Sequence, residues 1–483
     1  MDDSAEPTAS AARPVDAAVP AGVVAAPLLN ASEKRILIWL VAVSFFMQML
    51  DSTIVNTATP SIALGLHTTP LSLKTALTSY ALSLAIFIPL SSWMADRYGT
   101  RRIFWIAILV FTLGSLGCGM AWDLWSLVGA RVVQGFGGAM MLPVGRLALV
   151  RSFDKHEFVD AMSFASIPGL IGPTVGPLLG GLFSTYLSWR MIFLVNLPFG
   201  IIGLFLARRY MPDYRGATRA PLDLAGFVIF AAGIASLLWA VESIADDQYR
   251  TAFASGVAGG VLIAVYTIRS LKIDTPVFDL RMLRIRSFRI SFDGGFATRL
   301  GVGGMAFLLT LLFQIGFGYS PVMSGVLQMP QALAMLSMRF FVGRIIRQQG
   351  YRTVLMRNTA LAGVLIVAFS TFNAHTPIWL ICAQVFAFGF VMSLQYSAMN
   401  TLGFVDLKPE QASMGSSMSS TVQNLSMSFG IAFASLLMAI FLPPGAATGD
   451  HYIAAFHSTV LVLGCVTILS ALLFVRLPRA AAE

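Results

Sequence analysis

Stretches of roughly 20 mostly apolar residues, each long enough to cross a hydrocarbon layer as a helix, recur along this chain from about residue 35 to residue 476. Nothing else in the sequence narrows the possible folds as much. Within a bilayer every backbone N–H and C=O needs an internal partner, so such runs fold as a bundle of helices. The runs lie at approximately 35–57, 73–93, 103–121, 124–150, 160–184, 190–209, 221–242, 251–271, 289–319, 321–345, 353–372, 377–401, 412–442 and 453–476. Composition agrees: 57% of the 483 residues are hydrophobic and 11% charged, against about 25% charged in an average soluble domain.

The basic residues test the count. Lys and Arg favour cytoplasmic connections, and here they fall in alternate ones. The even-numbered connections hold Arg97, Arg101, Arg102, Arg151, Lys155, Arg208, Arg209, Arg215 and Arg219, then Arg281, Arg284, Arg344, Arg347, Arg352 and Lys408. The odd-numbered ones hold only Lys74, Arg190 and Arg250. This predicts an all-α multi-pass protein of the cell inner membrane with 14 spans and both termini cytoplasmic. It also accounts for the net charge of +9 without a nucleic-acid partner. Residues 1–33 begin with Asp2, Asp3 and Glu6, lack the basic start and apolar core of a signal peptide, and read as a disordered cytoplasmic tail.

Several chemistries are excluded. Cys118, Cys382 and Cys465 are far apart in apolar runs, which suggests neither a disulfide framework nor a metal site. No glycine-rich phosphate loop precedes a lysine, and neither H-E-x-x-H nor G-x-S-x-G occurs. We therefore expect no enzymatic activity and no cofactor, with an ion gradient rather than ATP as the energy source.

A short pattern recurs. After the second run come Ser92, Asp96, Arg97, Gly99, Arg101 and Arg102; after the tenth come Gly343, Arg344, Arg347, Gly350 and Arg352. If these loops correspond, the chain divides into a six-helix bundle at 34–210, two inserted helices with their linkers at 211–275, and a second six-helix bundle with a short cytoplasmic tail at 276–483. Two related bundles of this kind place one site near the midplane and expose it alternately to either side.

Charges inside the spans are the candidate chemistry. An uncompensated charge at the centre of a membrane helix costs about 2.5–3.5 kcal/mol on insertion scales, so such residues are functional by default. Burial disfavours the charged form of an acid, which makes Asp51 a candidate reversible proton carrier. The plainer reading is an acid near a helix end that bonds a neighbouring hydroxyl or backbone group. Arg131 stays charged at any accessible pH and serves as a fixed charge or donor, with Gln134 as its polar companion. Asp96, Arg97, Gly99 and Arg101 form a loop too short for catalysis. Asp96 suits a neighbouring helix N-terminus and the arginines suit acids or lipid phosphates, so the loop reads as a conformational latch; topogenic charge alone is the alternative. Gly172, Gly176, Gly180 and Gly181 put a flat face on the fifth run, while Pro173 and Pro177 weaken its ladder, which suits close packing or a hinge. Arg146, Arg299 and Arg339 favour an anionic substrate if they face a cavity; otherwise they pair with Asp293 or Glu242, or snorkel to the membrane edge. Phe46, Met47, Phe313 and Met338 are candidates for an adaptable apolar pocket, or simply core.

From helix 1 to helix 14 the sequence resembles the 14-helix drug:proton antiporter group of the major facilitator superfamily, in its MdtD-like branch. The resemblance rests on Leu50 to Pro60 in the first run, the 92–102 loop (with Ser92 where the group usually has glycine), Ala130 to Gly135, Gly172 to Gly181, and Trp189, Arg190, Phe193, Asn196 and Pro198. It implies the major facilitator fold of two six-helix bundles plus two additional helices, and proton-coupled efflux of drugs or other amphipathic compounds by alternating access. It implies a coupling role for Arg131 beside Asp51 and Gln134, a rocking role for the fifth helix, and a place for Asn56 among the cavity candidates with Arg146, Arg299 and Arg339. The expected partners are a small-molecule substrate and the lipid bilayer, and the expected state is a monomer. The alternatives are export of an anionic metabolite or metal chelate such as a citrate complex, a proton-symporting importer, or a non-transporting sensor.

Overall fold

The computed structural model describes residues 29–216, 221–408, 411–443 and 449–477, which are helical throughout apart from short connections. The expected tail therefore lies, up to residue 28, outside the described residues, and so does Arg219. Helices α1 (Ala31–Gly65), α2 (Lys74–Tyr98), α3 (Thr100–Gly119), α4 (Leu124–Ser152), α5 (Lys155–Tyr186) and α6 (Met191–Tyr210) form the first set. A hairpin follows, α7 (Leu224–Ala245) and α8 (Tyr249–Lys272), and then α9 (Arg286–Gly316). The next helical stretch, Pro321–Ala368, is broken at Gly350 into α10 (321–349) and α11 (351–368). The chain ends with α12 (Ile378–Leu402), α13 (Ala412–Phe441) and α14 (Gly449–Phe474). Among the described residues thirteen helices are long and apolar enough to cross a membrane, and the break at Gly350 divides the longest, giving 14 crossing segments, an even number that returns the chain to the face where α1 begins.

α1 departs from its expected boundary. The first apolar run ends near residue 57, but the helix continues past Pro60 to Gly65. Ile62 and Ala63 are buried there in the core, and that packing outweighs the one backbone hydrogen bond that proline removes. Asp51 consequently lies mid-helix, about 21 Å from the helix end at 1.5 Å per residue, and the helix-end reading of this acid is set aside.

The break at Gly350 has a counterpart. Gly350 adopts φ 73°, ψ 154°, and Gly99, between α2 and α3, adopts φ 93°, ψ 144°. This region is essentially reserved for glycine, because a Cβ there meets the backbone. The two glycines are the ones that the recurring loop pattern aligns. We expect Gly350→Ala to lower stability by about 1–3 kcal/mol, read as a lowered melting temperature, whereas Gly343→Ala, where a Cβ meets nothing within 4 Å, is close to neutral.

Packing repeats in the same sense. α1 packs on α5, α2 on α4 and α3 on both α4 and α6; α9 likewise packs on α13, and the α10–α11 stretch on α12 and α14. The two sets meet reciprocally, α5 against α10 and α2 against α13. The inserted α7 packs on α8 and leans on α2 and α13.

The core shows which side is closed. Towards the face opposite the chain ends, one core runs through both bundles, joining Ile54, Ala58 and Ile62 of α1 to Phe307, Leu311 and Phe313 of α9 and Leu327 of α10. Towards the arginine-rich face the cores are separate. One holds Val41, Phe104, Met140 and Val144; the other holds Ile290, Met338, Leu355 and Leu402. Apart from the α2–α13 seam, the bundles part on that side, so the opposite half is the closed one. Met47, Phe313 and Met338 are buried in these cores, and Phe46 packs partly buried against one of them. They are structural core in this conformation rather than a pocket lining.

Candidate functional site

Close helix contacts assemble a polar site inside the first bundle. A Cβ on Gly114 would fall 2.6 Å from the Gln134 backbone, and one on Gly135 would fall 2.7 Å from Ser83. Only small residues let α3, α4 and α2 approach this closely. Gly172, Gly176 and Gly180 do the same for α5 against α1, with virtual Cβ contacts of 2.8, 2.3 and 2.5 Å to Leu50, Thr53 and Ile54. The flat glycine face therefore lies along the turns of α1 that carry Asp51.

Asp51 is fully buried and Arg131 is 1% exposed. Arg131 Nη1 donates to Asp51 Oδ2 at 2.6 Å and to Gln134 Oε1 at 2.7 Å. Gln134 Nε2 donates to Asp51 Oδ1 and to Ser115 Oγ, both at 2.7 Å. Asn196 of α6 adds longer bonds of 3.3 Å to the same two oxygens. Arg131 Nε reaches the Ala76 carbonyl at 3.4 Å, and its guanidinium carbon lies 3.9 Å from the centre of the Tyr80 ring. Both carboxylate oxygens and the guanidinium are thus satisfied by five helices, α1, α2, α3, α4 and α6. Such saturation is what a buried ion pair needs, since removing one partner of such a pair costs about 3–5 kcal/mol.

The three residues singled out for proton coupling are brought together in one network. Asn196 belonged to a sequence motif without an assigned place in the site, and Ser115 and Tyr80 carried no sequence signal beyond being polar in an apolar run. Asp51 faces no passage in this conformation. The core shared by the two bundles closes over it, and no water-accessible surface reaches the acid.

The other candidates are dispersed. Asp96 Oδ1 accepts from Arg151 Nη2 of α4 at 3.0 Å, so this acid takes a guanidinium rather than a helix N-terminus. Gly99 abuts Asp213, where a Cβ would sit 2.0 Å from its carboxylate. Arg101 Nε donates to the Met211 carbonyl at 2.5 Å, and Thr100 Oγ1 donates to the Pro212 carbonyl at 2.7 Å. Arg97 is exposed, near the Trp93 and Tyr98 rings. The loop is thus stitched to the segment after α6 and to α4, all within one bundle. Gly181 and Pro177 instead face the second bundle. A Cβ on Gly181 would meet the Pro321 carbonyl at 2.4 Å, and one on Gly325 would meet the Pro177 carbonyl at 2.3 Å. Pro173, half-buried, is on the same helix.

Among the described residues, Arg146, Arg299 and Arg339 pair with neither Asp293 nor Glu242, nor with any other carboxylate. Arg146 Nε is buried without a hydrogen-bond partner, and its guanidinium lies 5.7 Å from the Phe45 ring on α1. Arg299 is 5% exposed, lies 4.9 Å from the Tyr396 ring, and helps line a small cleft of about 20 Å³ with Ser291, Asn400 and Ser419. Arg339 is exposed on α10, and Asn56 is half-buried, its amide 3.5 Å from the Ser52 carbonyl.

Comparison with known proteins places this geometry. A family model described as the Major Facilitator Superfamily matches residues 41–431. A protein named for multidrug resistance, MdtD of Serratia proteamaculans, is 38% identical over 444 residues, covering 91% of this chain and 93% of its own. MdtD of Cronobacter sakazakii is 39% identical over 450 residues, covering 91% and 94%. Among solved structures, a D-xylose-proton symporter superposes with TM-score 0.65 at 12% identity, covering 93% of this chain and 99% of its own. A bacterial homologue of the lysosomal transporter Spinster, in an inward-facing and unoccupied conformation, superposes with TM-score 0.64 at 14% identity, covering 92% and 97%. At these identities the structural likeness speaks to the fold alone.

Proposed function

This chain belongs to the Major Facilitator Superfamily, in its MdtD-like branch, and on that premise we propose that it exports amphipathic small molecules in exchange for protons. It is a multi-pass membrane transporter and not an enzyme. The single observation that carries the exchange reading is the sealed Asp51–Arg131–Gln134 network beneath a closed half of the molecule. A proton delivered to Asp51 Oδ2 cancels the acid's charge and breaks its charge-assisted bond to Arg131 Nη1. The guanidinium keeps Gln134 Oε1, the Ala76 carbonyl and the Tyr80 face. These hold it without a counter-charge for as long as the proton stays.

In this reading, access from the opposite side requires α5 and α10 to part, after which Asp51 takes up a proton. Closure carries it to the arginine-rich side, taken as cytoplasmic, where cargo binding and proton release restore the ion pair. The proton gradient is the energy source. Proteoliposomes with an imposed pH gradient test this with a cationic dye as cargo. At one-for-one exchange, each pH unit supports about a tenfold extra dye gradient, ~1.4 kcal/mol. Dye movement that ignores the gradient would sink the exchange reading.

A second reading is favoured by a separate observation, two arginines without carboxylate partners, the buried Arg299 and the half-buried Arg146. A cargo carrying carboxylates, such as a citrate chelate, would supply them. In that case Arg299→Ala is expected to reduce export of the anionic chelate at least about tenfold, ~1.4 kcal/mol, while leaving a cationic dye unaffected. Equal effects on both cargoes would reject a charge-selecting role for Arg299.

A further inference from the structure

Glu242 lies on α7, one turn before its end on the closed side, yet it is only 5% exposed. Its Oε1 accepts from the Thr78 hydroxyl at 2.6 Å and its Oε2 from the Thr75 hydroxyl at 3.0 Å, both on α2. Among the described residues no cation is within ion-pairing distance. The charges around it have other partners or other positions. Lys74 of α2, itself 3% exposed, is committed at 3.1 Å to Asp246, which lies one turn further along α7 with its side chain 56% exposed. On α8, Arg250 is exposed at the same end. On α4, Asp123 caps the helix with Ser126 and Arg131 faces Asp51. α13 carries no ionisable residue at all.

The surrounding hydrogen bonds accept either protonation state. With the carboxylate ionised, both threonines donate to it. The Thr78 hydroxyl also lies 3.3 Å from the Thr75 carbonyl. By turning its hydrogen there, it frees a lone pair to accept from a protonated carboxyl, and no heavy atom has to move. Asp246, which caps α7 one turn away, is exposed to solvent and paired with Lys74.

The turn of α2 that receives Glu242 has two further clients. The Ala76 carbonyl accepts from Arg131 Nε, and the Thr78 carbonyl accepts at 3.0 Å from Ser428 Oγ of α13, across the seam between bundles. Residues 74–78 therefore touch the buried ion pair on one side, the inserted helix on another, and the second bundle on a third. We propose that Glu242 is a second proton-binding site, and that its charge state is transmitted through this turn of α2 to Arg131 and to the α2–α13 seam. This gives the inserted hairpin a role in the cycle. It does not depend on Asp51 carrying a proton or on the identity of the cargo.

The test uses purified full-length protein in lipid nanodiscs, without substrate, and follows carboxyl infrared bands across a pH titration. Glu242→Gln keeps the size and the capacity to bond both threonines. It is expected to remove one titrating carboxyl, equivalent to one proton per protein, while elution and melting temperature stay at wild-type values. With the intrinsic pH dependence of amide exchange divided out, the protection of residues 74–78 is expected to vary with pH in the wild type and to stay constant in Glu242→Gln. Should that variant fail to fold, Thr78→Val, which removes the shorter hydrogen bond, is expected to shift the titration midpoint. Identical titrations of wild type and Glu242→Gln, or an unmoved midpoint in Thr78→Val, would overturn the proposal.

Discussion

Asp51→Asn is expected to reduce gradient-driven efflux by at least about 100-fold, ~2.7 kcal/mol in the activation barrier, while the protein still inserts and folds. Asparagine retains an oxygen for Gln134 and Asn196 but cannot take up and release a proton. It also leaves Arg131, 1% exposed, without its counter-charge, a loss worth about 3–5 kcal/mol in buried pairs. The Gln134 amide, the Ala76 carbonyl and the Tyr80 face offset part of this. A measurably lower melting temperature should therefore accompany the loss of transport. The informative contrast is with exchange of labelled for unlabelled cargo in the absence of a gradient, which needs no net proton movement and should survive. A variant that pumped with wild-type dependence on pH would show that Asp51 is only a structural acid.

The second large effect concerns the closed half. Gly181 and Gly325 sit at mirrored positions where α5 and α10 cross, each against the other helix's backbone, with virtual Cβ contacts of 2.4 and 2.3 Å. Backbone atoms have little room to yield, so Gly181→Val or Gly325→Val forces the two helices apart at this crossing. We expect either valine to shift the population from the conformation described above towards one open on the opposite side. A cost of about 2.7 kcal/mol corresponds to a 100-fold change in that ratio. Accessibility of a cysteine introduced at Thr57, which is fully buried beneath the closed half, would report the shift as faster labelling from that side. Gly129→Val is the control, because a Cβ there meets nothing within 4 Å. Unchanged labelling in both crossing variants would mean that this crossing does not hold the closed state.

Much of the fold was legible because bilayers leave chains few choices. Run length and alternating arginines led to 14 crossings, and the Gly99 and Gly350 loops announced the repeat that shared backbone angles later matched. Less visible was where a helix stops once tertiary packing takes over, as at Pro60. The site was legible where chemistry is costly. A carboxylate and a guanidinium in apolar runs attract notice because solvation penalises them, and Asp51 and Arg131 do meet. Ser115, Tyr80 and Asn196 join them only through helix crossings that no local pattern encodes. Glu242 was noticed only as a prospective partner for an arginine, and its threonine partners lie on α2, far away in sequence. The arginines illustrate the opposite limit. Arg146, Arg299 and Arg339 look alike in sequence, yet one is nearly sealed, one half-buried and one exposed.

Proton movement accompanying cargo is the property on which the account depends. Proteoliposomes loaded with a pH-sensitive dye, with no initial pH gradient, should show their internal pH change when a cargo gradient is applied, with protons moving opposite to the cargo. The change should vanish in Asp51→Asn even when cargo exchange persists. Cargo flux through the wild-type protein with no accompanying pH change would contradict the account at its root.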